Sequence, residues 1–105
     1  MTPSVMADCV STWAQYTIRV DANRRASFID ALRAKHVPTA VYYPKPLHQQ
    51  TAYRHFPVAG NGLPTSDRIC QEVVALPMHP YLDTETQDYI IETARAALSS
   101  KAAAA

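Results

Sequence analysis

Two prolines separated by one residue, Pro44 and Pro46, exclude helix and central strand from the middle of this chain. Each lacks a backbone N–H and locks φ. Each also biases its predecessor, Tyr43 or Lys45, toward extended backbone. The stretch Val41-Tyr42-Tyr43-Pro44-Lys45-Pro46-Leu47-His48, with Tyr53 five residues further on, therefore reads as a stiff, extended loop. It carries aromatic and hydrogen-bonding side chains, which suits a segment that reaches a ligand or a neighbouring domain. Eight prolines against two glycines extend the same character to the other connections.

The 105 residues make one small domain, which typically buries roughly 60–65% of the surface its unfolded form exposes. The apolar fraction of 48% overstates the core, because 17 of the residues counted are alanines. A net charge of +1 with 18% charged residues leaves no electrostatic footprint for nucleic acid or an anionic membrane. No apolar run approaches the ~18 residues of a membrane span, and no signal-peptide pattern opens the chain. Cys9 and Cys70 are far apart with no Cys-x-x-Cys spacing, so reduced thiols and a cytoplasmic location are expected.

Along the chain, residues 1–10 show no period and read as an entering linker. Residues 13–20 alternate, with Ala14, Tyr16, Ile18 and Val20 against Trp13, Gln15, Thr17 and Arg19, which predicts a strand. Asp21 or Asn23 can cap a helix running to about Lys35, with Phe28, Ala31, Leu32 and Lys35 on one face and Pro38 closing it. Residues 39–43 are β-prone. The proline loop then continues to about Leu63, with Gly60-Asn61-Gly62 as its flexible point. Thr65 or Ser66 can cap a second helix with Ile69, Val73 and Leu76 as its stripe, although Val73-Val74-Ala75-Leu76 equally fits a short strand stopped by Pro77. Thr84-x-x-Gln87 is a capping-box pattern ahead of a last helix bearing Ile90, Ile91, Ala94, Ala97 and Leu98. Residues 99–105 read as a frayed tail. This order indicates an α+β layer, a short sheet with helices on one face.

Several chemistries find no support in the residue pattern. His36, His48, His55 and His79 form no His-x-x-x-His pair and have no carboxylate at ligand spacing, so no metal site is expected. Cys70 on an apolar helix face reads as a small buried thiol rather than a nucleophile. Lys101, ahead of four alanines, lacks the desolvated setting that a Schiff-base lysine needs. There remain the proline loop and its companion, Leu76-Pro77-Met78-His79-Pro80-Tyr81-Leu82. Their residue types fit interdomain packing and ligand contact equally well.

Three segments in order decide between those readings. Trp13-Ala14-Gln15-Tyr16-Thr17-Ile18, then Pro38-Thr39-Ala40-Val41-Tyr42-Tyr43-Pro44-Lys45-Pro46-Leu47-His48, then Leu76-Pro77-Met78-His79-Pro80-Tyr81-Leu82 together resemble the C-terminal region of the DegT/DnrJ/StrS family of nucleotide-sugar aminotransferases. The likeness runs from about Ser11 to Ala97 and looks closest to the branch acting on 3-keto sugars such as UDP-2-acetamido-3-oxo-hexuronate. It departs most over Arg54-His55-Phe56 to Leu63.

The resemblance implies the small C-terminal domain (residues 11–98) of a fold type I enzyme, with a short, mostly antiparallel sheet. Residues 1–10 would lead from a missing N-terminal domain that holds pyridoxal phosphate, the electron sink for moving an amino group from glutamate to a keto sugar. It also implies a homodimeric parent. This chain has three lysines and no Ser-x-x-Lys-type cofactor segment in a suitable context, so alone it is expected to bind no cofactor and to supply no catalytic residue. By resemblance Tyr42, Tyr43 and His48 close over the substrate sugar and its diphosphate, where a hydroxyl or imidazole can meet an oxygen while the ring packs on the pyranose. Lys45 can add charge toward phosphate, and Tyr53 and His79 are further substrate-binding candidates. The alternative is a free-standing α+β binding or regulatory module that lost the catalytic domain.

Overall fold

The computed structural model describes residues 1–100. Strand β1 (Tyr16–Arg19) leads into helix α1 (Ala22–Ala34). A long loop with one 3-10 turn (Leu47–Gln49) precedes helix α2 (Pro64–Glu72), strand β2 (Val73–Leu76) and helix α3 (Thr84–Ser99). The strands pair antiparallel, Tyr16 opposite Leu76 and Ile18 opposite Val74. The α+β class holds.

The period-two pattern marks the core from Tyr16 onward, whereas Ala14, expected on the same face, is exposed. Ile18 and Val20 are buried and Tyr16 packs beside them. Phe28 and Leu32 of α1, Val74 of β2, and Ile90 and Ala94 of α3 complete that core, with α1 packed against both α3 and α2. The strand is shorter than residues 13–20, because Trp13 takes φ of 47° and turns the chain, its ring resting 5.3 Å from that of Tyr16. The expected strand at 39–43 shrinks to one bridge, with Ala40 exchanging both backbone hydrogen bonds with Ala75. Pro38 and Pro44, which have no N–H to give, flank it and prevent a longer ladder.

Two helix starts and one stop signal differ from expectation. α1 has Asp21 as its N-cap and ends at Lys35, its C-cap, as expected, but Pro38 is not what closes it. The His36 amide donates to the Arg33 carbonyl and the Val37 amide to the Leu32 carbonyl. His36 has φ of 58°, and buried Val37 covers the turn, a Schellman cap with histidine where glycine is usual. α2 begins at Pro64, whose fixed φ suits a first helical position, rather than after Thr65 or Ser66. α3 is capped by Asp83, not Thr84: the Asp83 side chain accepts from the Thr86 amide at 2.7 Å. Lys35 and Leu98 are also exposed rather than part of their helices' buried faces.

The ambiguous Val73–Leu76 segment is a strand. Its alternation puts Val74 fully inside, so the helical stripe Ile69, Val73, Leu76 does not form. Two arginines of α1 tie the remaining ends. Arg24 Nη2 donates to the Leu98 carbonyl at 2.6 Å, and Arg25 Nη1 to the Cys70 carbonyl at 2.5 Å. Both guanidiniums sit at helix C-termini, where positive charge is favoured. Of the tail assigned to 99–105, Ser99 ends α3 and Ser100 is its C-cap; Lys101 and the alanines after it lie outside the described residues.

Candidate functional site

The Schellman turn and the Ala40 bridge aim the proline loop. After Ala40 the chain leaves the sheet edge with Tyr42 57% and Tyr43 68% exposed. Lys45 is also exposed, whereas Pro46 is buried and anchors the loop. The 3-10 turn follows, closed by the Gln49 amide donating to the Pro46 carbonyl and the Gln50 amide to the Leu47 carbonyl. From Gln50 to Phe56 further turns continue, with the Tyr53 and Arg54 amides both donating to the Gln50 carbonyl.

The six candidates fall into two depressions. An open one of about 820 Å³ is lined by Tyr43, Lys45, His48 and Tyr53, with Phe56 and Leu63 on its apolar side. A second, about 320 Å³, has Tyr42 and His79 with Gln15 and Thr39. The expected extended run is broken by bends at Tyr42, Pro44 and Lys45, and Tyr42 and Tyr43 line different main depressions. Both tyrosines also border a smaller cleft of about 110 Å³ over Thr17 and Val73.

The two histidines are held differently. His79 Nδ1 accepts from the Tyr81 amide at 3.2 Å, which leaves Nε2 as its free nitrogen. His48 Nε2 lies 2.9 Å from Asp67 Oδ1, and the Gln49 side-chain amide donates to the same oxygen at 2.6 Å. Asp67 and Gln49 did not emerge from the sequence. Asp67 stands in the first turn of α2, 19 positions past His48, and no local pattern announces such a pair. Among the described residues no group of three or more His, Cys, Asp or Glu is placed to hold a metal ion.

Pyridoxal phosphate needs a desolvated lysine and a cradle for its phosphate. Lys35, at the C-cap of α1, and Lys45 are both exposed. The described residues therefore do not fit the cofactor, and no chemical step runs through it here. What they offer is hydrogen bonding, one ammonium group and aromatic surface along an open loop, a set suited to holding a polar, anionic ligand.

This layer of three helices over an antiparallel strand pair is an α+β fold found in fold type I aminotransferases. The chain belongs to the DegT/DnrJ/EryC1/StrS aminotransferase family, whose profile matches residues 1–95. It is 45% identical over 83 residues to a UDP-2-acetamido-2-deoxy-3-oxo-D-glucuronate aminotransferase of Pseudomonas aeruginosa, covering 79% of this chain and 22% of that protein. The structure of a DegT DnrJ EryC1 StrS aminotransferase from Brucella abortus superposes with a TM-score of 0.88 at 41% identity, over 94% of this chain and 26% of that one. DesV of S. venezuelae, solved in complex with a ketimine intermediate, gives 0.84 at 27% identity, over 95% and 26%. The chain thus spans about a quarter of the length of these relatives. Family members depend on pyridoxal phosphate, and no described helix is long and apolar enough to cross a membrane.

Proposed function

We propose that this chain is the C-terminal, substrate-binding share of a pyridoxal-phosphate-dependent enzyme that transfers an amino group from glutamate to a keto nucleotide sugar. Its product would serve polysaccharide or secondary-metabolite sugar biosynthesis. The observation that carries this reading is the gathering of Tyr43, Lys45, His48 and Tyr53 around one open depression, in a chain 45% identical to a UDP-sugar aminotransferase. Lys45 and His48 meet the diphosphate, Tyr43 and Tyr53 offer ring faces and hydroxyls to the sugar or base, and Tyr42 and His79 contribute from the neighbouring depression. Bound in the N-terminal part of the protein, the cofactor supplies the electron sink. Residues 1–10 connect to that part, 11–98 form the small domain, and the whole acts as a cytoplasmic homodimer in which Cys9 and Cys70 stay reduced.

The test is Tyr43→Phe in the full-length protein. KM for the nucleotide sugar should rise while the cofactor absorbance stays unchanged. An unaltered KM favours a packing role for the loop. An unrelated upstream domain in the reading frame would instead favour the free-standing binding or regulatory module.

A further inference from the structure

Gly60-Asn61-Gly62 holds both glycines of the chain and takes no part in the ligand-binding reading. It turns the backbone between Pro57 and Leu63, two residues that line the largest depression. Every residue from 51 to 66 is exposed. The Gly62 amide reaches only the Ala59 carbonyl, at 3.3 Å, the longest of the backbone bonds in the described loops and caps. Gly62 sits at φ of 107°, and the position a Cβ would take there meets nothing within 4 Å beyond its chain neighbours. The turn is open on all sides.

An asparagine followed by glycine in such a turn carries its own reactivity. The Gly62 nitrogen, once its proton passes to solvent hydroxide, can attack Cγ of Asn61. The new N–C bond closes a succinimide ring, and the carboxamide nitrogen takes up a proton and leaves as ammonia. Water then opens the ring at either carbonyl. One opening gives aspartate, the other isoaspartate, in which the main chain runs through Cβ and Cγ. No oxidant or reductant is needed. Glycine leaves the attacking nitrogen uncrowded and the backbone free to rotate. Asn23, the other asparagine, is set differently. It stands in the first turn of α1, where the next amide, that of Arg24, donates to the Asp21 carbonyl at 2.8 Å.

We propose that Asn61–Gly62 is a site of spontaneous covalent modification, at which the exposed turn converts through a succinimide to an aspartyl or isoaspartyl link. The product places a carboxylate on the turn that joins two lining residues of the depression. It cancels the net charge of +1, and the isoaspartyl form lengthens the main chain of the turn by a carbon.

The test is to incubate the folded full-length protein at 37 °C over a series of pH values and digest it with trypsin, which cuts after Arg54 and Arg68. The peptide from His55 to Arg68 should gain the mass difference between a hydroxyl and an amino group and become a substrate for an isoaspartyl methyltransferase. Its conversion should quicken as hydroxide concentration rises and should match the rate of a free peptide spanning residues 57–65. The peptide bearing Asn23 should stay unchanged. Asn61→Gln, whose larger ring closes far more slowly, should lose the product while circular dichroism shows the fold intact. A folded-state rate below about one tenth of the free peptide's, a barrier raised by roughly 1.4 kcal/mol, would overturn the proposal. So would methylation that persists on this peptide in Asn61→Gln, which would assign it to Asp67 instead.

Discussion

The Val37 amide donates to the Leu32 carbonyl at 3.0 Å, closing α1 from outside the helix. That bond requires the intervening His36 to sit at φ of 58°, a left-handed conformation that costs an L-residue with a Cβ roughly 1–2 kcal/mol. The strain is tolerated because Val37, 2% exposed, is drawn into the core.

His36→Gly relieves this strain but restores unfolded-state freedom. The expected net effect is a gain of about 0.5–1 kcal/mol, read from the urea midpoint at unchanged m. A β-branched replacement, His36→Val, should lose stability. Equal stability of the glycine variant and the parent would contradict the cap as described.

Asp83 gives a pH-dependent handle. The Thr86 backbone amide, then its hydroxyl, and then the charge of His79 hold the Asp83 carboxyl below its ordinary value of 3.8. A carboxyl whose folded pKa is depressed stabilises the fold above its unfolded pKa and loses that contribution as pH falls through the folded value. Asp83→Ala should therefore lower Tm at pH 6, and the gap from the parent should narrow as pH falls below 3.8. A gap that stays constant into strong acid would show that the ionised cap contributes nothing.

Leu32 is fully buried between α1 and its neighbours. Truncation to alanine removes apolar burial and leaves a cavity, a loss of roughly 2–5 kcal/mol. Against a total of about 5–15 kcal/mol for a natural domain, Leu32→Ala should shift the unfolding midpoint severely or leave the chain unfolded at 37 °C. A change below about 1 kcal/mol would mean the site collapses without a void.

The sequence was most readable where one residue's pattern determines its own surroundings. Tyr16, Ile18 and Val20 announce a buried strand face by alternation alone, and Pro44 with Pro46 announces an exposed loop. The proline loop also carries Tyr43, Lys45, His48 and Tyr53 within eleven positions, so their gathering follows from contiguity. Readability failed where a partner decides. Val73–Leu76 fits helix or strand until β1 lies beside it. Residues 39–43 favour strand, yet only Ala40 finds an open edge. Asp67 meets His48 across the turn through Gly60 and Gly62, both with positive φ, which no short window spans.

The division of Tyr42 and Tyr43 between two depressions has a consequence for chain length. The chain is pinned at the Ala40 bridge and again at buried Pro46 and bends at Tyr42, Pro44 and Lys45 between them, so adding or removing one position would shift both phenols relative to those anchors. A single-residue insertion or deletion between Ala40 and Pro44 would displace the two phenols from their depressions while leaving the amino-acid content of the loop almost intact. The spacing from the Ala40 anchor to the first proline is therefore as restrictive as the identity of the tyrosines themselves, and indels there should be far less tolerated than substitutions.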